Sequence, residues 1–218
     1  MKRILAVVLI AAMTLGLSAC AGTKSADKAA SEKKNSISSS GEQKGKIESD
    51  NSTPKETGDN ALVVYFSATG NTRAVAETLA RLQSADLNEI VPEQPYTEED
   101  LDYNNDTCRA NQEQNDDSAR PAISENIENI NDYDVIYVGF PIWWGTLPKI
   151  LYTFFDTYDL SGKTIAPFCT SGGSGISSAV EIITELEPDA VITEGLRTEP
   201  DNAEEDLTQW LQTIGVTE

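Results

Sequence analysis

The chain has 218 residues, with 39% hydrophobic and 24% charged residues, enough for one domain of ordinary size plus extensions. Lys plus Arg number 16 against 36 Asp plus Glu, a net charge of −20, which excludes a nucleic-acid binder with a basic face. The absence of His removes Ser-His-Asp and Cys-His catalysis and His-ligated zinc, and three Cys cannot build a disulfide framework or a Cys₄ metal site.

The N-terminus reads as an address and an anchor. Lys2 and Arg3 supply a positive start, and Ile4 to Leu17 is almost wholly apolar. The run is too short for a comfortable membrane span and ends in small residues, as a signal peptide over 1–19 does. Leu17-Ser18-Ala19-Cys20 resembles the bacterial lipobox, which implies lipidation of Cys20 and a mature chain of 218 − 19 = 199 residues. More than one acyl chain on that cysteine gives stable anchoring. From Ala21 to Asn60 there is no aromatic residue, and 7 Lys balance 7 acids. Such a stretch buries too little apolar surface to offset its ordering entropy, so 20–60 is expected to be a disordered tether.

The domain expected over 61–218 carries all fifteen aromatics and the acidity: 7 Lys plus Arg against 29 Asp plus Glu, 7 − 29 = −22. A solvated surface explains scattered acids, and docking to a basic partner is the sharper reading. Ala61 to Phe66 is an apolar run of strand length, followed by a helical pattern from Arg73 to Gln83 with Val75, Leu79 and Leu82 on one face. Leu87–Val91 predicts a second strand and Tyr133–Phe140 a third, closed by Pro141. A helix over Lys149–Tyr158, a strand over Thr164–Cys169 and a helix over Ile176–Leu186 follow. Ala190–Ile192 predicts a short strand and Glu204–Ile214 a last helix. This alternation predicts an α/β fold, a parallel sheet covered on both faces.

In such sheets ligands bind beyond the carboxyl ends of the strands, where the strand order switches. Three strand-end loops are unusual: 67–72, 141–148 and 170–175. The first, Ser67-Ala68-Thr69-Gly70-Asn71-Thr72, opens a helix whose free N–H groups and dipole favour an anion. Gly70 permits close approach, and three hydroxyls add donors. No Lys completes a nucleotide-hydrolysing P-loop, so the loop suits a terminal phosphate monoester; the plainer alternative is a helix cap on Asn71 or Thr72.

Tyr65-Phe66 and this loop resemble the FMN-phosphate loop of the flavodoxin family, Thr/Ser-x-Thr-Gly-x-Thr. Pro141-Ile142-Trp143-Trp144-Gly145-Thr146-Leu147-Pro148 resembles the loop that stacks an aromatic on the isoalloxazine and follows it with Gly. Thr170-Ser171-Gly172-Gly173-Ser174-Gly175 resembles the segment that bonds the flavin's pyrimidine edge. The resemblance implies a flavodoxin-like, doubly wound, five-stranded parallel sheet of order 2-1-3-4-5 with FMN as cofactor. It implies cofactor contacts at Ser67, Ala68, Thr69, Gly70, Asn71, Thr72, Pro141, Ile142, Trp143, Trp144, Gly145, Thr170, Ser171, Gly172 and Gly173. It also implies that the Gly145 peptide can offer a carbonyl to a reduced flavin.

Physical reasons stand beside the resemblance. A flavin is a flat aromatic with one polar edge, so it needs aromatic faces and a few backbone donors. Trp143 and Trp144 cannot both enter the core on one side of a strand, so at least one faces outward. Trp144, directly before Gly145, is the first choice for stacking; the alternative has one Trp capping the core and the other on a neighbouring helix. Residues 92–121 depart from the family as a long polar stretch, either a helix-containing insertion that covers the flavin or a mobile loop. Its Asp-rich run has Asn where a calcium loop needs Gly, so no metal is expected. Cys108 and Cys169 are expected as free thiols, Cys169 buried, with a disulfide the alternative.

The expected function is electron transfer by a membrane-tethered FMN protein outside the cytoplasm of a bacterium, with no catalytic residue of its own. Its partner is a redox protein or a small electron acceptor. An FMN-dependent NAD(P)H:quinone or azo reductase is the alternative enzyme, since Pro148, Lys149, Asp156 and Gly162-Lys163 also resemble that branch. Tyr96, Tyr103 or Tyr152 would then relay protons. A non-catalytic lipoprotein interaction module is the alternative from another class.

Overall fold

The computed structural model describes residues 60–216. The expected signal segment 1–19, the lipidation site Cys20 and the tether up to Asp59 lie outside the described residues.

The sheet is built from β1 (Ala61–Tyr65), β2 (Asp86–Glu89), β3 (Val135–Pro141), β4 (Thr164–Thr170), β5 (Val191–Ile192) and β6 (Leu196–Arg197). All pairings are parallel, and the order is β2-β1-β3-β4-β5, with β6 also pairing β4. This is the 2-1-3-4-5 order expected of the domain. The helices are α1 (Asn71–Leu82), α2 (Arg109–Gln114), α3 (Lys149–Thr157), α4 (Ser177–Leu186) and α5 (Ala203–Ile214).

Alternation along each strand sorts the core into two layers. Leu62, Val64, Phe66, Ile136, Val138, Phe140 and Ile165 face Ile150, Leu151 and Phe154 of α3 and Ala179 and Ile183 of α4. Val63, Tyr65, Val135, Tyr137, Ala166 and Phe168 face Val75, Ala76 and Leu79 of α1 and Leu207, Trp210 and Leu211 of α5. Burial on both faces explains why β1 and β3 read as unbroken apolar runs. Gly139 on β3 faces Phe168 on β4; a Cβ there would meet the ring at 2.2–2.9 Å, so the glycine makes room for the phenyl group.

The fifth strand is broken, and the cause lies in its neighbour. β4 pairs Ile165 with Ile192 and Cys169 with Arg197. Between them Pro167 has no N–H to give on that side. The chain bulges at Thr193, Glu194 and Gly195, and the Glu194 carbonyl accepts a hydrogen bond from the Trp210 indole N–H at 2.8 Å. A Cβ on Gly195 would come within 2.9 Å of Val180, so the bulge also packs closely under α4. The second half of the strand, β6, was not anticipated from the short run Ala190–Ile192.

Residues 92–121 are an ordered, helix-containing insertion rather than a mobile loop. Its ends are clasped: Glu93 N–H donates to Ala122 O and Ser124 N–H to Val91 O, both at 2.8 Å. Inside it, Tyr96 donates to Glu113 at 2.6 Å, Arg109 pairs with Glu113 at 2.7 Å, and the Arg109 guanidinium lies 4.1 Å from the Tyr96 ring centre. Burial and Glu113 push the Tyr96 phenol well above its usual value. Cys108 and Cys169 are both free and buried, and burial raises the Cys169 thiol to about 12.

Glu187, at the C-terminus of α4, is buried without a cationic partner among the described residues. Burial, then the charges of Asp159 and Asp156, raise its carboxyl to about 7. The folded state therefore holds this proton more tightly than the unfolded chain, whose Glu titrates near about 4.3. The contribution to stability is favourable at low pH and declines as pH rises towards about 7. Glu187→Gln should raise the denaturant midpoint clearly at pH 8 and leave it nearly unchanged only below the unfolded-state value, at about pH 3. A loss of stability at both pH values would contradict this account.

Candidate functional site

The chain order carries β1–α1–β2 to one side of the sheet and β3 onward to the other. The carboxyl ends of β1, β3 and β4 thus open onto the same crevice. A cavity of about 680 Å³ lies there. Its walls include Ala68, Thr69 and Asn71 from the first loop, Pro141, Ile142 and Trp143 from the second, and Thr170, Ser171 and Gly172 from the third. The three loops singled out from sequence therefore meet at one place. Ser67, Gly70, Thr72, Trp144, Gly145 and Gly173 belong to the same loops but are not among its lining residues.

Gly70 ends the first loop with φ +91°, a left-handed conformation that suits glycine, and precedes α1 with no side-chain cap. Neither Asn71 nor Thr72 is the cap. The first N–H groups of α1 have no carbonyl four residues back in the helix, so they are free for an anion. Ser67 Oγ accepts the Gly70 N–H at 3.1 Å and tightens the turn. Thr72 is buried, and its hydroxyl lies 2.8 Å from that of Thr170, tying the first loop to the third. In a hydroxyl pair one group donates and the other keeps its proton for a further acceptor.

The second loop is a tight hairpin turn. Trp143 N–H donates to Thr146 O at 2.9 Å, and Thr146 N–H donates back to Trp143 O at 3.0 Å. The two residues between them, Trp144 and Gly145, have φ +44° and +83°, the signs that a type I′ turn requires. A tryptophan in the left-handed region is strained. The adjacent indoles separate as alternation demands. Trp143 is buried, packed edgewise on Phe66 at 5.5 Å and Tyr96 at 5.1 Å between ring centres. Trp144 is 42% exposed and lies against Tyr103 at 4.8 Å. Trp143 is among the residues that line the cavity and Trp144 is not.

The third loop is held from behind. Ile142 N–H donates to Thr170 O at 2.9 Å, Arg197 donates to Ser171 O at 2.9 Å, and Gly173 N–H donates to Ser171 Oγ at 3.2 Å.

Five lining residues were not assigned to the site from sequence: Leu101, Tyr103, Glu199, Pro200 and Asp201. Leu101 and Tyr103 come from the insertion. The sequence points to Tyr103 only as a proton relay for the alternative reductase. Glu199–Asp201 follow β6, so reading the second half of the broken strand would have placed them at a strand end. No Lys or Arg lines the cavity, while two acidic residues do: Asp201, and Glu199, which pairs with Arg197 at 3.5 Å. The chemistry on offer is an anion site of neutral donors, an aromatic wall and an acidic rim.

The family model for flavodoxin matches residues 60–214. A protein from Bacteroides eggerthii assigned as a flavoprotein is 43% identical, with a TM-score of 0.70, over 73% of this chain and 99% of its own. A second one, from Bacteroides uniformis, is 36% identical, with a TM-score of 0.66, over 71% of this chain and 99% of its own. A flavoprotein from Lactobacillus acidophilus, solved in complex with FMN, is 24% identical, with a TM-score of 0.53, over 68% of this chain and 98% of its own. No curated protein matches the chain. The chain belongs to the flavodoxin family.

Proposed function

We propose that the domain binds FMN in the cavity at the carboxyl ends of β1, β3 and β4 and serves as an electron carrier. The observation that carries this reading is the meeting of an uncapped helix N-terminus and an aromatic wall in one cavity of about 680 Å³, within the 300–1,000 Å³ typical of cofactor pockets. Ser67, Thr69 and Thr72 with the first N–H groups of α1 would hold the phosphate. Trp143 and Tyr103 would meet the ring, and the 170–173 backbone its polar edge. The FMN of the Lactobacillus acidophilus flavoprotein supports the choice of flavin. When bound, FMN supplies one- and two-electron redox chemistry. The protein contributes position, exclusion of water and a negative field.

The acidic rim favours a carrier over a nucleotide-driven reductase. NAD(P)H would bring its own phosphates to a cavity lined by Glu199 and Asp201 and by no cation. Salt screens this opposition over about 10 Å at 0.1 M, so the rim acids count for more than the remote ones. The absence of His leaves proton transfer to tyrosines, and burial and Glu113 hold Tyr96 far above neutral pH. Lipidation at Cys20 completes the proposal: Lys2-Arg3, the apolar run and Leu17-Ser18-Ala19 support a domain tethered outside the cytoplasmic membrane, within reach of a redox partner.

The cofactor proposal is tested by fluorescence titration of the full-length protein. FMN should bind at least tenfold more tightly than riboflavin, because charge-assisted hydrogen bonds are worth about 1.5–3 kcal/mol each. Thr69→Ala should weaken FMN by about tenfold and leave riboflavin unchanged, and neither NADH nor NADPH should be oxidised on mixing. Equal affinity for the two flavins, or rapid nucleotide oxidation, would contradict the reading.

The anchor is tested separately by cell fractionation. Cys20→Ser should release the protein from membranes or leave it unprocessed; a variant that fractionates and migrates as wild type does would overturn the lipid anchor.

A further inference from the structure

The insertion supplies two residues of the cavity wall, Leu101 and Tyr103, and also reaches the second loop from behind. Its helix α2 ends at Gln114, and this side chain reaches across to the second loop. Its Nε2 donates to Trp143 O at 3.2 Å and to Leu147 O at 3.3 Å, and its Oε1 accepts the Lys149 N–H at 3.1 Å. A glutamine amide has two N–H donors and one carbonyl, so both donors and the oxygen are engaged. The three partners are backbone groups at both flanks of the strained Trp144–Gly145 turn and at the first residue of α3. One side chain thus spans the base of the hairpin and caps the helix that follows. It does not line the cavity.

We propose that Gln114 is a positioning residue: it fixes the 141–148 loop, so that the insertion sets the wall that a flavin ring meets. The link to flavin rests on the reading above; the loop-fixing role stands on the hydrogen bonds alone. A second contact runs in parallel, since Tyr96 of the insertion packs edgewise on Trp143. The anchor itself is firm. Within α2, Asn111 is buried and donates to Asp106 O at 2.7 Å, and the Arg109–Glu113 pair ties the helix to Tyr96. Without Gln114, Trp143 O keeps its turn partner Thr146, while Leu147 O and Lys149 N–H lose their only partner among the described residues. Water can satisfy them, but water does not hold two strands of a turn at a fixed separation.

The test compares wild type, Gln114→Ala and Gln114→Glu in the full chain. Amide hydrogen exchange is measured in the flavin-free protein, and affinities for FMN and riboflavin by titration. In Gln114→Ala the amides of Trp143, Thr146 and Lys149 should exchange about tenfold faster. In Gln114→Glu, which keeps the acceptor and loses both donors, Lys149 should stay protected while Trp143 and Thr146 exchange faster. Amides of α5, on the far face of the sheet, should be unchanged in both, which separates a loosened loop from a loosened fold. FMN and riboflavin should weaken by the same factor, about tenfold, because this loop faces the ring and not the phosphate. Wild-type exchange rates over 143–149 in both variants would overturn the proposal, as would faster exchange with unchanged flavin affinities. Failure of wild type to bind either flavin would instead sink the cofactor reading, and the exchange rates would still decide whether Gln114 fixes the loop.

Discussion

A parallel sheet must bury both of its faces, and the rest of the molecule is arranged around that requirement. Each strand hands the chain to a crossover helix, so all carboxyl ends gather at one edge. At the switch between β1 and β3 the crossovers leave in opposite directions and a crevice opens without any residue being spent to carve it. The packing that closes the faces is tight enough to dictate single residues. Gly139 yields to Phe168, and Trp210 takes the Glu194 carbonyl that the interrupted β4–β5 ladder leaves over. The rigid frame then lets short loops hold strained conformations, such as the left-handed Trp144.

Charge is distributed to the same end. The domain has seven cations, and none of them is among the residues that line the cavity. Arg73 pairs with Glu89, Arg81 with Glu204, Arg109 with Glu113, Arg120 with Asp156, Lys149 with Asp117 and Arg197 with Glu199. Lys163 donates to the Asn131 and Tyr133 carbonyls. The exposed pairs among them, such as Arg81–Glu204, add little stability. With no Lys or Arg in the lining, an anion entering the crevice finds only backbone N–H groups and hydroxyls as donors, beside Glu199 and Asp201 and inside a field set by −22. Such a site can hold a phosphate through directed hydrogen bonds while the surrounding acids oppose further negative charge on whatever is attached to it.

The sequence displayed much of this directly, for physical reasons. A strand buried on both faces must be apolar throughout, so β1 and β3 were legible, and loops that follow such strands are marked by their glycines and hydroxyls. What stayed hidden depended on contacts between distant residues. The split of the fifth strand arises from Pro167 on its neighbour. The partition of Trp143 inward and Trp144 outward was deducible as an alternation, but which indole went where depends on Phe66, Tyr96 and Tyr103. The insertion stayed open between a helix-containing segment and a mobile loop because its order comes from Tyr96, Arg109 and Glu113, polar residues that carry no periodic signal. Thr72 was legible as a loop hydroxyl, while its pairing with Thr170 across 98 positions was not.

The central claim is that one crevice holds a flavin phosphate at the N-terminus of α1 and its ring against the wall formed by the second loop and the insertion. A crystal structure of the protein grown with FMN tests it most directly. The account predicts the phosphate within hydrogen-bonding distance of the α1 N-terminal amides and the Thr69 hydroxyl, with the ring beside Trp143 and Tyr103. A flavin seated elsewhere, or one in the crevice with its phosphate turned to solvent, would contradict it.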